Sequence, residues 1–144
     1  MDKMTAEQLQ AFWDKLVGER NYKREHRSRH GIDASEYRYE LKIEAGMLDE
    51  VIAALRKIVN PETLPLNEHE TVSLLVNGLS LVQVASFRLF LAQAMEGRNE
   101  RLAKENLNSG DPCRRNQYYI DLENEQHMIR WVDRALNEVL NNTH

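Results

Sequence analysis

The residues best equipped for chemistry are cations gathered in a few short stretches. Arg20, Lys23, Arg24, Arg27 and Arg29 crowd into ERNYKREHRSRH, where Tyr22 is the one large apolar side chain. Arg98, Arg101 and Lys104 form a second group, and Arg114 and Arg115 a third. The planar fork of arginine meets a carboxylate or phosphate with two parallel hydrogen bonds, so these groups predict a surface for an acidic or phosphate-bearing partner. Acids are interleaved with them, among them Glu19, Glu25, Asp33, Glu36, Glu40, Glu96, Glu100 and Asp111. That mixture weakens the net field and also suits a solvated surface of helical ion pairs. It favours a specific protein or small-anion contact over bulk nucleic-acid binding, which relies on summed phosphate contacts. Tyr22, Tyr37, Tyr118 and Tyr119 are aromatic anchors available to such a contact.

Other constellations are less complete. Glu36, Glu40 and Glu44 recur at helical spacing and could turn carboxylates toward a divalent ion. All-α nucleotide pyrophosphatases use helical carboxylates in this way. Their pattern needs paired Glu-x-x-Glu and Glu-x-x-Asp elements on two helices, which this chain does not supply. His26 with His30, and Glu123 with His127, have i, i+4 spacing but no obvious third ligand. The Glu-x-x-His pairs of di-iron bundles are missing. Cys113 follows Pro112 and precedes two arginines, a setting that favours thiolate, but no base lies near it in sequence. There is no Gly-rich phosphate loop, Cys-x-x-Cys pair or Gly-x-Ser-x-Gly elbow. The expectation is a binding protein with no catalytic residue, no metal and no cofactor. A nucleotide- or nucleic-acid-binding protein, or a pyrophosphatase-like enzyme, is the alternative.

The elements that must position these groups read as helices. Proline and glycine are sparse, at 3 and 6, and helix formers dominate. Thr5 and Gln8 make a capping box, and Leu9, Phe12, Trp13, Leu16 and Val17 then share one helical face. Beyond Val17 that face fades, so the second half of this helix is expected to project from the core. Gly31 is its natural stop. Asp33 and Glu36 open a second helix, with Tyr37, Leu41, Leu48, Ile52, Leu55 and Val59 on one face and Asn60-Pro61 as its end. Asn67 and Glu70 box a third, read as running from Glu68 to about Asn106. Asp111 and Pro112 start a fourth, lined by Tyr118, Leu122, Ile129, Val132, Leu136 and Val139. Short connections imply one domain over 1–144, an antiparallel bundle of about four long helices with a very apolar third helix. The arginine-rich groups then fall at one end.

The third helix contains the most unusual stretch, Thr71 to Met95, whose only formal charge is Arg88 in a chain with 29% charged residues. Asn77-Gly78 between apolar residues is also a hairpin signal, and the two readings compete. Arg88, Asn77, Gln83 and Gln93 argue against a membrane span. A helix apolar over nearly its whole circumference cannot be covered by three neighbours from one chain, so a homodimer is expected. The net charge of −4, the single cysteine and the polar first residues suit a cytoplasmic protein with a protein partner and no membrane.

Overall fold

Thr5 opens the first helix in the way its sequence predicts. Its backbone N–H donates to Gln8 Oε1 at 2.9 Å, and Gln8 N–H donates to Thr5 Oγ1 at 3.1 Å. The computed structural model describes residues 3–29, 35–62, 66–109 and 117–141, with side chains at 3–25, 40–62, 66–104 and 119–141. Within them the chain is all-helical apart from one isolated β-bridge. The long helices are α1 (Ala6–Arg29), α2 (Ser35–Val59), α4 (Leu81–Ser109) and α5 (Gln117–Asn141); a short α3 (Glu68–Val72) lies between α2 and α4. Gly31, Asp33, Asp111 and Pro112, expected at helix ends, lie outside the described residues.

Cross-helix pairs fix the directions. Lys23 meets Glu44, and Arg20 meets Asp49, so α1 and α2 run antiparallel. Gln83 meets Ile58, and Arg98 meets Glu50, which sets α4 against α2 in the same sense. Arg88 with Asn137, and Arg98 with Glu125, do this for α4 and α5. The apolar faces read from the sequence point inward. Leu9, Phe12, Leu16, Leu48, Val51, Ile52, Leu55, Phe87, Met128, Val132 and Leu136 are buried together, with Phe12 edge-on to Phe87 at 5.6 Å. Two aromatic rings in that geometry add to the area they bury.

One device closes the base of the bundle twice. Gln8, having boxed α1, donates its amide to the carbonyl of Val139 near the end of α5 at 3.1 Å. Gln83 does the same from α4, boxing Ser80 and donating to Ile58 at the end of α2 at 3.1 Å. A terminal helix leaves carbonyls without partners, and these two amides satisfy one on each neighbour.

The expected third helix is interrupted. The Asn67–Glu70 box is present, yet it caps only the five residues of α3. A single 3-10 turn, Leu75–Asn77, follows, and Gly78 adopts φ 65°. Leu79 then exchanges two backbone hydrogen bonds with Met4, at 2.8 and 3.0 Å, before Ser80 starts α4. Neither a continuous helix nor a hairpin describes 71–80. Gly78 ends one element, and the Ser80–Gln83 box begins another. The second half of α1 also departs from expectation: Arg20 is buried and Lys23 nearly so, both packed by ion pairs and not by apolar contact.

Candidate functional site

The inner residues of the cationic groups are engaged within the chain. Arg20 continues the stripe Leu9, Trp13, Leu16 by one more helical step and is only 4% exposed. Its guanidinium grips both carboxylate oxygens of Glu68, reaches Asp49 Oδ1 at 3.3 Å and also meets Asn21. The hydrogen bond from Arg20, aided by its charge, holds the Glu68 carboxyl below the usual carboxylate range. The same bond, against the cost of burial, raises Arg20 above its ordinary value. Lys23 lies between Glu44 and Glu19. Burial pulls its ammonium down, and the bonds and charges of the two carboxylates outweigh that and push it up. Arg24, half exposed, meets Asp49 at 2.6 Å.

Arg98 repeats the pattern on α4. It follows Val84, Phe87 and Leu91 on the inward stripe, and it is buried between Glu50 of α2 and Glu125 of α5, each at 3.4 Å. Asp49 and Glu50 are neighbours on α2, so the networks of Arg20 and Arg98 meet across one turn of that helix. This charged layer separates the large apolar core from the arginine-rich end.

Tyr22 is exposed, and so are Arg101 and Lys104. Arg27, Arg29 and Tyr118 lie on helices, but their side chains are outside the described set, and Arg114, Arg115 and Cys113 fall outside it entirely. The structure therefore brings Arg20, Lys23 and Arg24 together against α2, and it sets Arg98 apart on the other side of that helix. Of the acidic stripe, Glu44 binds Lys23 and Glu40 is exposed, while the Glu36 side chain is outside the described set. Among the described residues no group of three or more His, Cys, Asp or Glu side chains is arranged to hold a metal ion.

A second surface lies along α3 and α4. On α4 the face opposite Val84, Phe87 and Leu91 carries Val82, Ala85, Ser86, Leu89, Ala92 and Gln93, all exposed and none charged. Val72 and Val76, in the segment before α4, and Leu81 at its start are exposed as well, with Val76 at 71% and Val82 at 74% exposure. This is the circumferential apolarity seen in the sequence, uncovered on its outer side. Among the described residues no helix is long and apolar enough to cross a membrane.

Sequence reasoning missed the acidic partners Asp49, Glu50, Glu68 and Glu125. It also did not group Arg88 of α4 with Arg130 and Arg134 of α5, which line one groove. The phase of Arg20 and Arg98 on the inward stripes is the signal that both side chains turn inward. Comparison with known protein families, with curated proteins and with solved structures finds no match.

Proposed function

We propose that this chain is a non-enzymatic binding protein of regulatory type, acting as a homodimer and contacting a protein partner through the exposed part of its arginine-rich end. The observation that carries this reading is the uncharged outer face of α4. Monomers seldom leave a contiguous apolar surface of this kind in water, and such patches mark contacts with other chains. From Val82 to Gln93 the face is about 17 Å long at the helical rise. A two-fold axis across it would pair Leu89 and Val82 with their copies, burying the same patch on both subunits.

Light scattering on the purified chain tests the dimer. The expected mass is twice 16.9 kDa at micromolar concentration. Val82→Glu with Leu89→Glu should return the monomer with helical content unchanged, because both side chains already face solvent. A wild-type monomer at that concentration defeats the self-association reading.

The partner surface needs its own test. With Arg20, Lys23 and Arg98 held by internal acids, the candidate cations of the arginine-rich end that stay open to a partner, among the described residues, are Arg101, Lys104 and the outer half of Arg24. Charge reversal at Arg27, Arg101 and Arg115 should remove the proteins that the wild-type chain captures from its host. Capture unchanged by these substitutions would place the contact elsewhere. A nucleic-acid affinity with a steep salt dependence, lost in the same variant, would favour the nucleic-acid reading instead.

A further inference from the structure

Between α4 and α5, beside the apolar face, runs a groove of about 600 Å³. Leu91, Met95 and Ile129 contribute to its apolar lining, and Ala92 stands at the border with the exposed face of α4. Arg88 enters from α4; His127, Arg130 and Arg134 enter from α5, with Asp133 the one acid in the lining. The volume falls within the range of pockets that enclose small ligands, and the chemistry is of that kind: an apolar bed with a few fixed polar groups.

The charges in the groove are unusual for this chain. Its net charge is −4, yet here three guanidinium groups face one carboxylate. Arg130 and Arg134 stand at i, i+4 on one helix, where like charges repel and destabilise the helix slightly. Both are exposed, and neither forms an ion pair with a described residue, in contrast to Arg20, Lys23 and Arg98. Arg88 is half-buried and held in place by Asn137 Oδ1 at 3.1 Å, while its Nε is buried without a hydrogen-bond partner. All three cations are arginine, the side chain whose fork matches carboxylate and phosphate oxygens. The buried cations Arg20 and Arg98 are met by acids, whereas half-buried Arg88 is met by the neutral amide of Asn137, with Arg130 and Arg134 beside it.

We propose that the α4–α5 groove binds an amphipathic anion, an apolar chain or ring bearing a carboxylate or phosphate head. The apolar body lies on Leu91, Met95 and Ile129, and the head is held by Arg130 and Arg134 with Arg88 behind them. This site lies beside the proposed dimer face, with Ala92 at their border, and apart from the arginine-rich end.

Titration calorimetry with decanoate, decyl phosphate, decyltrimethylammonium and acetate tests it, each kept below its micellar concentration. Decanoate or decyl phosphate should bind saturably at one site per chain, and the stronger of the two identifies the head group. Acetate should not bind, since it lacks the apolar body, and the cationic amphiphile should bind at least about ten-fold more weakly than the anions. Arg130→Gln with Arg134→Gln, both at exposed positions, should weaken anion binding by about ten-fold or more. Raising the salt should weaken it further. No saturable binding by either anion below about 1 mM would overturn the proposal. So would equal binding of the cationic amphiphile, or unchanged affinity in the double variant. Failure of decanoate and decyl phosphate combined with binding of a glutamate-rich amphipathic helical peptide would also overturn it, and would assign the groove to a protein helix. Because Val82→Glu with Leu89→Glu leaves Arg88, Arg130 and Arg134 intact, the monomeric variant should bind the anion as the wild type does. A failed dimer test is thereby kept separate from a failed groove.

Discussion

Gly78→Ala is expected to destabilise the protein by about 3 to 5 kcal/mol, the largest effect expected of a methyl group added at any of the described glycines. Gly78 has φ 65° and ψ −161°, a backbone region open essentially to glycine alone. Holding an alanine there costs of order 1–3 kcal/mol in strain. Space is the second obstacle. A Cβ at this position would drive into the carbonyl oxygen of Met4 and come within 2.9 Å of the carbonyl carbon of Thr5. Both atoms are backbone and cannot rotate away. Relief would require Met4 and Leu79 to separate, giving up their two hydrogen bonds and uncovering two residues of the core. Urea unfolding compared with Gly97→Ala provides the control, because a Cβ at Gly97 meets nothing within 4 Å in a helix, where alanine is preferred. Gly97→Ala should be neutral or stabilising. Equal effects of the two substitutions would mean that the Gly78 turn is not formed in solution.

The same turn marks the limit of what the sequence could tell. Helical periodicity located α1, α2, the body of α4 and α5, because each carries an apolar stripe whose phase is set by burial. It failed at 71–80, where Ser73, Asn77 and Ser80 fall at helical spacing and so imitate the polar stripe of a continuous helix. The local chemistry that ends α3 was nevertheless written there. Asn77-Gly78 is the left-handed turn signal, and Ser80-x-x-Gln83 is a capping box of the form that correctly placed the start of α1. The Asn77-Gly78 signal competes with the long apolar run in the sequence, and the Ser80–Gln83 box lies inside that run. The inward placement of Arg20 and Arg98 has a different origin. Their charge suggests an outer surface, while their phase, four residues beyond Leu16 and seven beyond Leu91, places them inward. Position on the stripe prevailed over charge, because acids on α2, α3 and α5 stood opposite. Those partners are far away in sequence, and only the fold brings them near. The groove arginines were legible only as isolated charges, since Arg88 and Arg134 become neighbours through the packing of α4 on α5.

Glu68→Ala is expected to cost about 2 kcal/mol at neutral pH, the second largest effect predicted. It strips the buried guanidinium of Arg20 of both oxygens of its main partner, leaving Asp49 and Asn21 to hold the charge. Removing one member of a buried pair is severe when the survivor cannot reach water, and the Arg20 side chain is 5% exposed. The figure is kept toward the low end because Asp49 remains and because the Glu68 side chain is itself 34% exposed, so solvent already screens part of the attraction. Arg20→Met should cost less, about 1 kcal/mol, since the two carboxylates left behind are partly hydrated and the methionine extends the apolar stripe. The double variant should fall short of the sum of the two, because both substitutions remove one interaction. The pH dependence has a definite sign. The folded Glu68 carboxyl is lowered, so its contribution is fully present above the ordinary carboxylate value of about 4.3 and is lost as pH falls through the folded value. Wild type should therefore lose stability between neutral pH and pH about 3.5 more steeply than Glu68→Ala, and the gap between them should narrow with acid. Arg20 is raised from an already high value and adds no loss in that window. Urea midpoints at the two pH values measure the gap. Parallel acid losses in the two proteins would show that Glu68 does not hold Arg20 in solution, and the Glu68 contact joining α1 to α3 would then contribute nothing measurable to the fold.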